Sequence, residues 1–69
     1  EIYELVPIYD SRNSFYGKAH IIIDYDKGVT YLKSYDTIVS KCEGGKVEHF
    51  GKYSQTTTRH QKEFEKQSN

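Results

Sequence analysis

The chain has 69 residues, ten Lys and Arg against ten Asp and Glu, and a formal net charge of zero. That length makes one small domain, spanning 1–69, that buries about 60% of its unfolded surface and leaves little room for a deep substrate pocket. The charge balance argues against a histone-like or polyphosphate-coating role, which needs excess positive charge to displace counterions.

Glu1–Tyr9 is rich in Ile, Tyr, Leu and Val and reads as a strand. Pro7 has no amide donor, so this strand is expected at a sheet edge. Asp10–Gly17 is a polar loop that nonetheless carries Phe15 and Tyr16. Lys18–Tyr25, centred on Ile21-Ile22-Ile23, is the clearest strand. Asp26-Lys27-Gly28 then suits a three-residue hairpin loop with Gly28 left-handed, and Val29–Ser34 returns. That register sets Tyr25 opposite Val29, Ile23 opposite Tyr31 and Ile22 opposite Leu32. Both faces of the ribbon are apolar, so one is expected to meet the helix and the other to be covered by a loop, a curled sheet or a partner.

Thr37–Glu43 and Lys46–Tyr53 form a second hairpin about Gly44-Gly45, a pair suited to a type I′ turn. Here charge checks the register. Glu43 falls opposite Lys46 and Lys41 opposite Glu48, each pair stabilising by roughly 0.2–1 kcal/mol, and a one-residue slip would lose both. Val39 would face Phe50. The other face, with Cys42 opposite Val47, Ser40 opposite His49, and Ile38 nearby, is the expected core side.

From Ser54 onward, Arg, Gln, Lys and Glu replace the β-branched runs, and a helix is expected over about 55–67. Ser54 or Thr56 can cap it. Thr57, His60 and Phe64 share a face, and Phe64 is the only large apolar residue there, so the helix depends on docking Phe64 against the sheet. The expected class is therefore α+β: an antiparallel sheet of about four to five strands packed by one C-terminal helix.

Leu32-Lys33-Ser34-Tyr35-Asp36-Thr37-Ile38-Val39, Gly51 to His60 with its Thr-Thr-x-Arg-His string, and Glu63-Phe64 together resemble a family of small uncharacterised proteins of phages, plasmids and Gram-positive bacteria. That pattern runs Ser-Tyr-Asn/Asp-Thr-x-Val, then Tyr-Ser-x-Thr-Thr-x-Arg-His-x-x-Glu-Phe. The resemblance covers about the last 38 residues. It implies a mobile-element accessory protein, and implies no activity.

Five candidate sites follow from the residues. Ser54, Thr56, Thr57 and Thr58 sit at the positive end of the helix dipole beside Arg59 and His60, a setting for a phosphate or carboxylate, although capping alone accounts for the hydroxyls. Arg59, Lys62 and Lys66 form a basic helical stripe that a nucleic-acid backbone could use together with Lys52. Glu63 and Glu65 interrupt it, and Glu63 can pair with Lys66 or Arg59. Tyr25, Tyr31, Tyr35, Phe50 and Tyr53 could stack bases, or simply pack. His20, His49 and His60 are scattered and match no zinc spacing, and no nucleophile motif is present. Neither metal, cofactor nor catalysis is expected. Finally, Arg12, Phe15 and Tyr16 are residue types enriched at protein contacts, unless Phe15 folds back over the sheet.

The leading expectation is a non-enzymatic module that binds a host or phage protein through this loop, through edge strand Ile2–Tyr9, or through both. The same edge could make a homodimer. A weak nucleic-acid binder is the alternative. No apolar run approaches the ~20 residues that span a bilayer, and no signal-peptide pattern is visible. The single Cys42 cannot close an internal disulfide, so a cytoplasmic setting is expected.

Overall fold

The computed structural model describes residues 1–68. Five strands, β1 (Ile2–Glu4), β2 (Ala19–Asp24), β3 (Val29–Ser34), β4 (Thr37–Glu43) and β5 (Lys46–His49), are followed by helix α1 (Gln55–Ser68). The strands lie in sequence order in one antiparallel sheet, and α1 packs across β3, β4 and β5. This is the expected α+β architecture, with β1 at an edge as Pro7 suggested.

The second hairpin has the register read from its charges: Glu43 opposite Lys46, Lys41 opposite Glu48, Cys42 opposite Val47, and Ser40 opposite His49. Gly44 and Gly45 have φ of 59° and 80°, the two positive values that a type I′ turn demands. The ladder closes with the Phe50 amide donating to Val39 O at 2.9 Å. β5 ends at His49, short of the expected Tyr53.

The first hairpin is paired one residue away from expectation. Asp24 lies opposite Val29, Ile23 opposite Thr30, and Ile22 opposite Tyr31. The cause is the Asp24 side chain. Its Oδ1 accepts the amides of Asp26 and Lys27, both at 3.1 Å, while the Gly28 amide donates to Asp24 O at 2.9 Å. An Asp that bonds the following amides competes with continued pairing and closes the turn early. Ile21 then meets Leu32 on the helix side, and Ile22 meets Tyr31 on the far side.

A bulge corrects the expectation for Ile38. Leu32 pairs with Ser40 but Lys33 pairs with Ile38, so Val39 is an extra residue in β4. The extra residue breaks the strict alternation of faces. Val39 and Ser40 are both fully buried, and Ile38 is left exposed.

Glu1–Tyr9 is not one strand. β1 stops at Glu4, and after a last ladder bond from the Leu5 amide to Ala19 O at 2.9 Å the chain leaves the sheet and crosses α1. Glu63 redirects it. The Glu63 carboxylate accepts the amides of Ile8 (2.8 Å), Tyr9 (3.1 Å) and Asp10 (2.9 Å), and the Gln67 side-chain amide bridges Glu63 (2.6 Å) and Val6 O (2.8 Å). Glu63 therefore binds backbone, not Lys66 or Arg59. Arg59 instead pairs with Asp10 at 3.1 Å.

The core is Leu5, Phe15, Ala19, Ile21, Leu32, Val39 and Phe64, with Ile23, Cys42 and Val47 at its margin. Phe64 is the helix's one large apolar contribution, as expected. The rest of the buried helix face is polar and hydrogen-bonded: Thr57 and His60 to Ser34, Gln61 to Val39 O, and Glu63 to the crossing segment.

Candidate functional site

Three segments meet at one end of the sheet: loop residues 12–18, the Tyr35-Asp36 turn between β3 and β4, and the first turn of α1. The local sequence explains each. Ser54 caps the helix, its Oγ accepting the Thr57 amide at 3.3 Å and its carbonyl accepting the Thr58 amide at 2.9 Å. Ser14 Oγ accepts the Tyr16 amide at 2.8 Å, which bends the loop, and Phe15 drops into the core. The Tyr35 amide donates to Lys18 O at 2.7 Å, which fixes the turn against the loop. Tyr16 and Tyr35 both have φ of 56°, a left-handed conformation uncommon for a non-glycine residue and of a kind that clusters where structure serves binding.

Between these segments lies a pocket of about 320 Å³. Arg12, Lys18 and Arg59 bring positive charge to it, Tyr16 and Tyr35 stand at it as exposed rings, and the first turn of α1 adds Gln55 and Thr56. No carboxylate lines it. Asp10 sits behind, engaged with Arg59 and with the Arg12 amide at 3.0 Å. The Arg12 backbone bond, and more weakly the charges of Arg59, Arg12 and Lys66, hold the Asp10 carboxyl below its ordinary value. Lys18 Nζ lies 5.6 Å from the centre of the Tyr35 ring, a cation–π distance.

His60 also lines the pocket and is only 1% exposed. Phe15 packs edge-on to it, with centroids 4.5 Å apart. Burial pushes the imidazole pKa down, with Asp10 opposing that and Lys18 adding to it. A chain of hydroxyls leads to it: Ser54 Oγ lies 3.4 Å from Thr57 Oγ1, Thr57 Oγ1 lies 3.0 Å from Ser34 Oγ, and Ser34 Oγ lies 2.8 Å from His60 Nδ1. The His60 Nε2 is the one buried side-chain polar atom without a partner among the described residues.

The sequence candidates divide accordingly. Arg12, Tyr16, Thr56, Arg59 and His60, drawn from two separate proposals, share this pocket. Phe15 is 4% exposed and belongs to the core, the folded-back position that the sequence left open beside a contact role. Ser54 and Thr57 serve the cap and the hydroxyl chain. Lys62 and Lys66 lie with Arg59 around a second, shallow depression that also contains Asp10 and Glu63, and Lys52 stands apart, exposed, before the helix. The aromatics make no single platform. Tyr25 and Tyr35 sit at opposite ends of β3, Tyr31 is on the face away from α1, and Phe50 and Tyr53 follow β5.

Sequence reasoning missed Lys18 and Gln55, and took Tyr35 for a stacking residue only. The signal for Lys18 was its place beside the loop aromatics. His49 lies opposite Ser40 as expected, with Ser40 Oγ 2.6 Å from Nδ1, and its Nε2 also meets Glu65 at 2.8 Å.

Among the described residues, no group of three or more His, Cys, Asp or Glu is placed to hold a metal ion, and no helix is long and apolar enough to cross a membrane. Residues 3–69 match the model of a family described as a family of unknown function, DUF8033. No curated protein and no solved structure matches the chain. The chain belongs to that family.

Proposed function

We propose, starting from membership of a family without an assigned activity, that this chain is a non-enzymatic interaction module whose partner is another protein. The observation that carries this reading is the apolar surface of the first nine residues. Ile2, Tyr3, Val6, Ile8 and Tyr9 are all between 48 and 70% exposed. From Ile2 the apolar surface continues across the sheet face away from α1, through Ile22 and Tyr31, its neighbours in register. A small domain that leaves this many large apolar side chains in water has the composition of a contact surface. The segment is also fixed in shape: Glu63 and Gln67 hold residues 6–10 by the backbone and leave the side chains outward.

Main-chain pairing at the edge plays a smaller part than the sequence suggested. β1 has three residues, and Glu1, Tyr3 and Leu5 turn their polar groups to β2. Ile2 and Glu4 remain for a partner strand, so side chains carry the contact. A mobile-element origin and a host or phage partner belong to the same reading, supported by the Thr-Thr-x-Arg-His resemblance.

The test is affinity capture from cells that naturally contain the chain, followed by direct binding to the purified captured protein. An Ile2→Ser/Val6→Ser/Ile8→Ser variant, whose altered side chains touch water, should keep the wild-type circular dichroism and bind at least tenfold more weakly. Equal binding by the variant would overturn the surface. If no protein binds directly, the reading falls.

A further inference from the structure

We propose that β5 is a docking edge for a second copy of this chain, joining two sheets into one across a two-fold axis at Val47. β5 lies at the opposite edge of the sheet from β1, so this contact uses other residues than the apolar surface of the first nine.

The first observation is an open row of backbone groups. Among the described residues no strand pairs with β5 on its outer side. The Phe50 amide donates to Val39 O, and along an antiparallel strand successive residues turn their polar groups to alternate sides. Lys46 and Glu48 therefore bond β4 as Phe50 does, while Val47 and His49 turn their amides and carbonyls outward. Such a row is a template for another strand.

The second observation is charge. Val47 packs against the core on the helix side, so its neighbours Lys46 and Glu48 stand on the far face, where both are exposed. Each lies opposite a residue of the other sign, yet the ion pair that forms is Lys41 with Glu43, 3.7 Å apart along β4. Among the described residues neither Lys46 nor Glu48 takes part in an ion pair.

Charges on an edge strand commonly keep copies apart, and register decides whether these repel or attract. Outward backbone groups must meet outward ones, so the second strand can slide only in steps of two residues. With Val47 opposite Val47 of the second copy, Lys46 faces Glu48 and Glu48 faces Lys46. One step either way sets Lys46 against Lys46 or Glu48 against Glu48. In the Val47 register the charge pairs also take the non-hydrogen-bonded positions, where facing side chains are closest. Sign then alternates across the junction: Lys41, Glu48, then Lys46 and Glu43 of the second copy. On the helix side the two half-buried valines cover one another. The contact is self-complementary, as a two-fold axis requires.

The experiment is sedimentation equilibrium of the full chain from ~10 μM to ~1 mM at low salt, with Glu48→Lys and Lys46→Glu variants run singly and as an equal mixture. The wild type should dimerise within that range. Each variant sets like charges across the axis. It should keep the wild-type circular dichroism and self-associate about tenfold more weakly. Mixed, the two variants should pair with each other, because the two lysines of one then face the two glutamates of the other. In the wild type, hydrogen exchange at the Val47 amide should slow as concentration rises, while exchange at Glu48, already bonded within the chain, should not. A wild type that stays monomeric to ~1 mM would overturn the proposal, as would variants that dimerise like wild type. Folded variants that stay apart when mixed would overturn the register. Concentration-dependent protection at Ile2–Tyr9 in place of Val47 would move the contact to the other edge and overturn β5.

Discussion

Glu63 carries a full charge in a place solvent hardly reaches, and its surroundings explain why this is tolerated. Burial pushes its pKa up, but the Gln67 amide and the backbone amides of Ile8, Tyr9 and Asp10 outweigh that and leave the carboxyl below its ordinary value of 4.5. Each amide bond to the carboxylate favours the charged form. A depressed folded pKa means that the unfolded chain binds the proton more readily, so stability is present above about pH 4.5 and drains away as pH falls toward the lower folded value. His60 acts in the same sense from a higher start, because it too is depressed, below 6.5, and must be charged when the chain unfolds in acid. Glu63→Gln keeps the shape and removes the charge. It should cost about 1.5–3 kcal/mol at neutral pH and flatten the acid limb of a urea-denaturation series below pH 4.5. An unchanged acid limb would show that Glu63 is not the group that titrates with unfolding.

Hairpins show how far local sequence determines pairing. Gly44-Gly45 offers a turn that fits, and two pairs of opposite charge fit only one register, so that ribbon could be read from the sequence alone. The first hairpin has no charge pairs to check, and Asp24 closes its turn through a side chain that reads equally well as a strand residue. The Val39 bulge has no sequence mark of its own, since Ile38, Val39 and Ser40 can alternate either way. A turn prediction follows. A Cβ at Gly44 or Gly45 meets nothing within 4 Å, so backbone conformation alone decides the cost. Gly45→Ala should cost about 1–2 kcal/mol, the penalty of a side chain in left-handed backbone. Gly44→Asn should be neutral or slightly stabilising, because Asn-Gly suits this turn and restricts the unfolded chain. Thermal denaturation of the two variants against wild type checks both signs.

At the level of the whole molecule, long-range contacts assemble what the sequence shows only in pieces. Arg12 and Tyr16 were visible as loop oddities, and Thr56, Arg59 and His60 as helix-start chemistry. Nothing in a linear reading brings the two sets together, because the contact needs the crossing of α1 that Glu63 imposes. The same crossing places Asp10 against Arg59, which offsets the basic stripe that suggested nucleic acid. With zero net charge and that pairing, single- and double-stranded oligonucleotides should elute from the immobilised chain well below physiological salt. An Arg59→Ala/Lys62→Ala/Lys66→Ala variant should differ little from wild type. Retention that persists at higher salt and is lost in the triple variant would favour the nucleic-acid alternative over the one proposed.

The grip of Glu63 on Ile8, Tyr9 and Asp10 spans more than fifty residues of sequence, and it sets a timetable for biosynthesis. While the helix is still inside the ribosome, residues 6–10 lack the Glu63 and Gln67 side chains that hold them. Assembly completes only once residue 63 has emerged, so this chain finishes folding after, and not during, the translation of its own C-terminal helix.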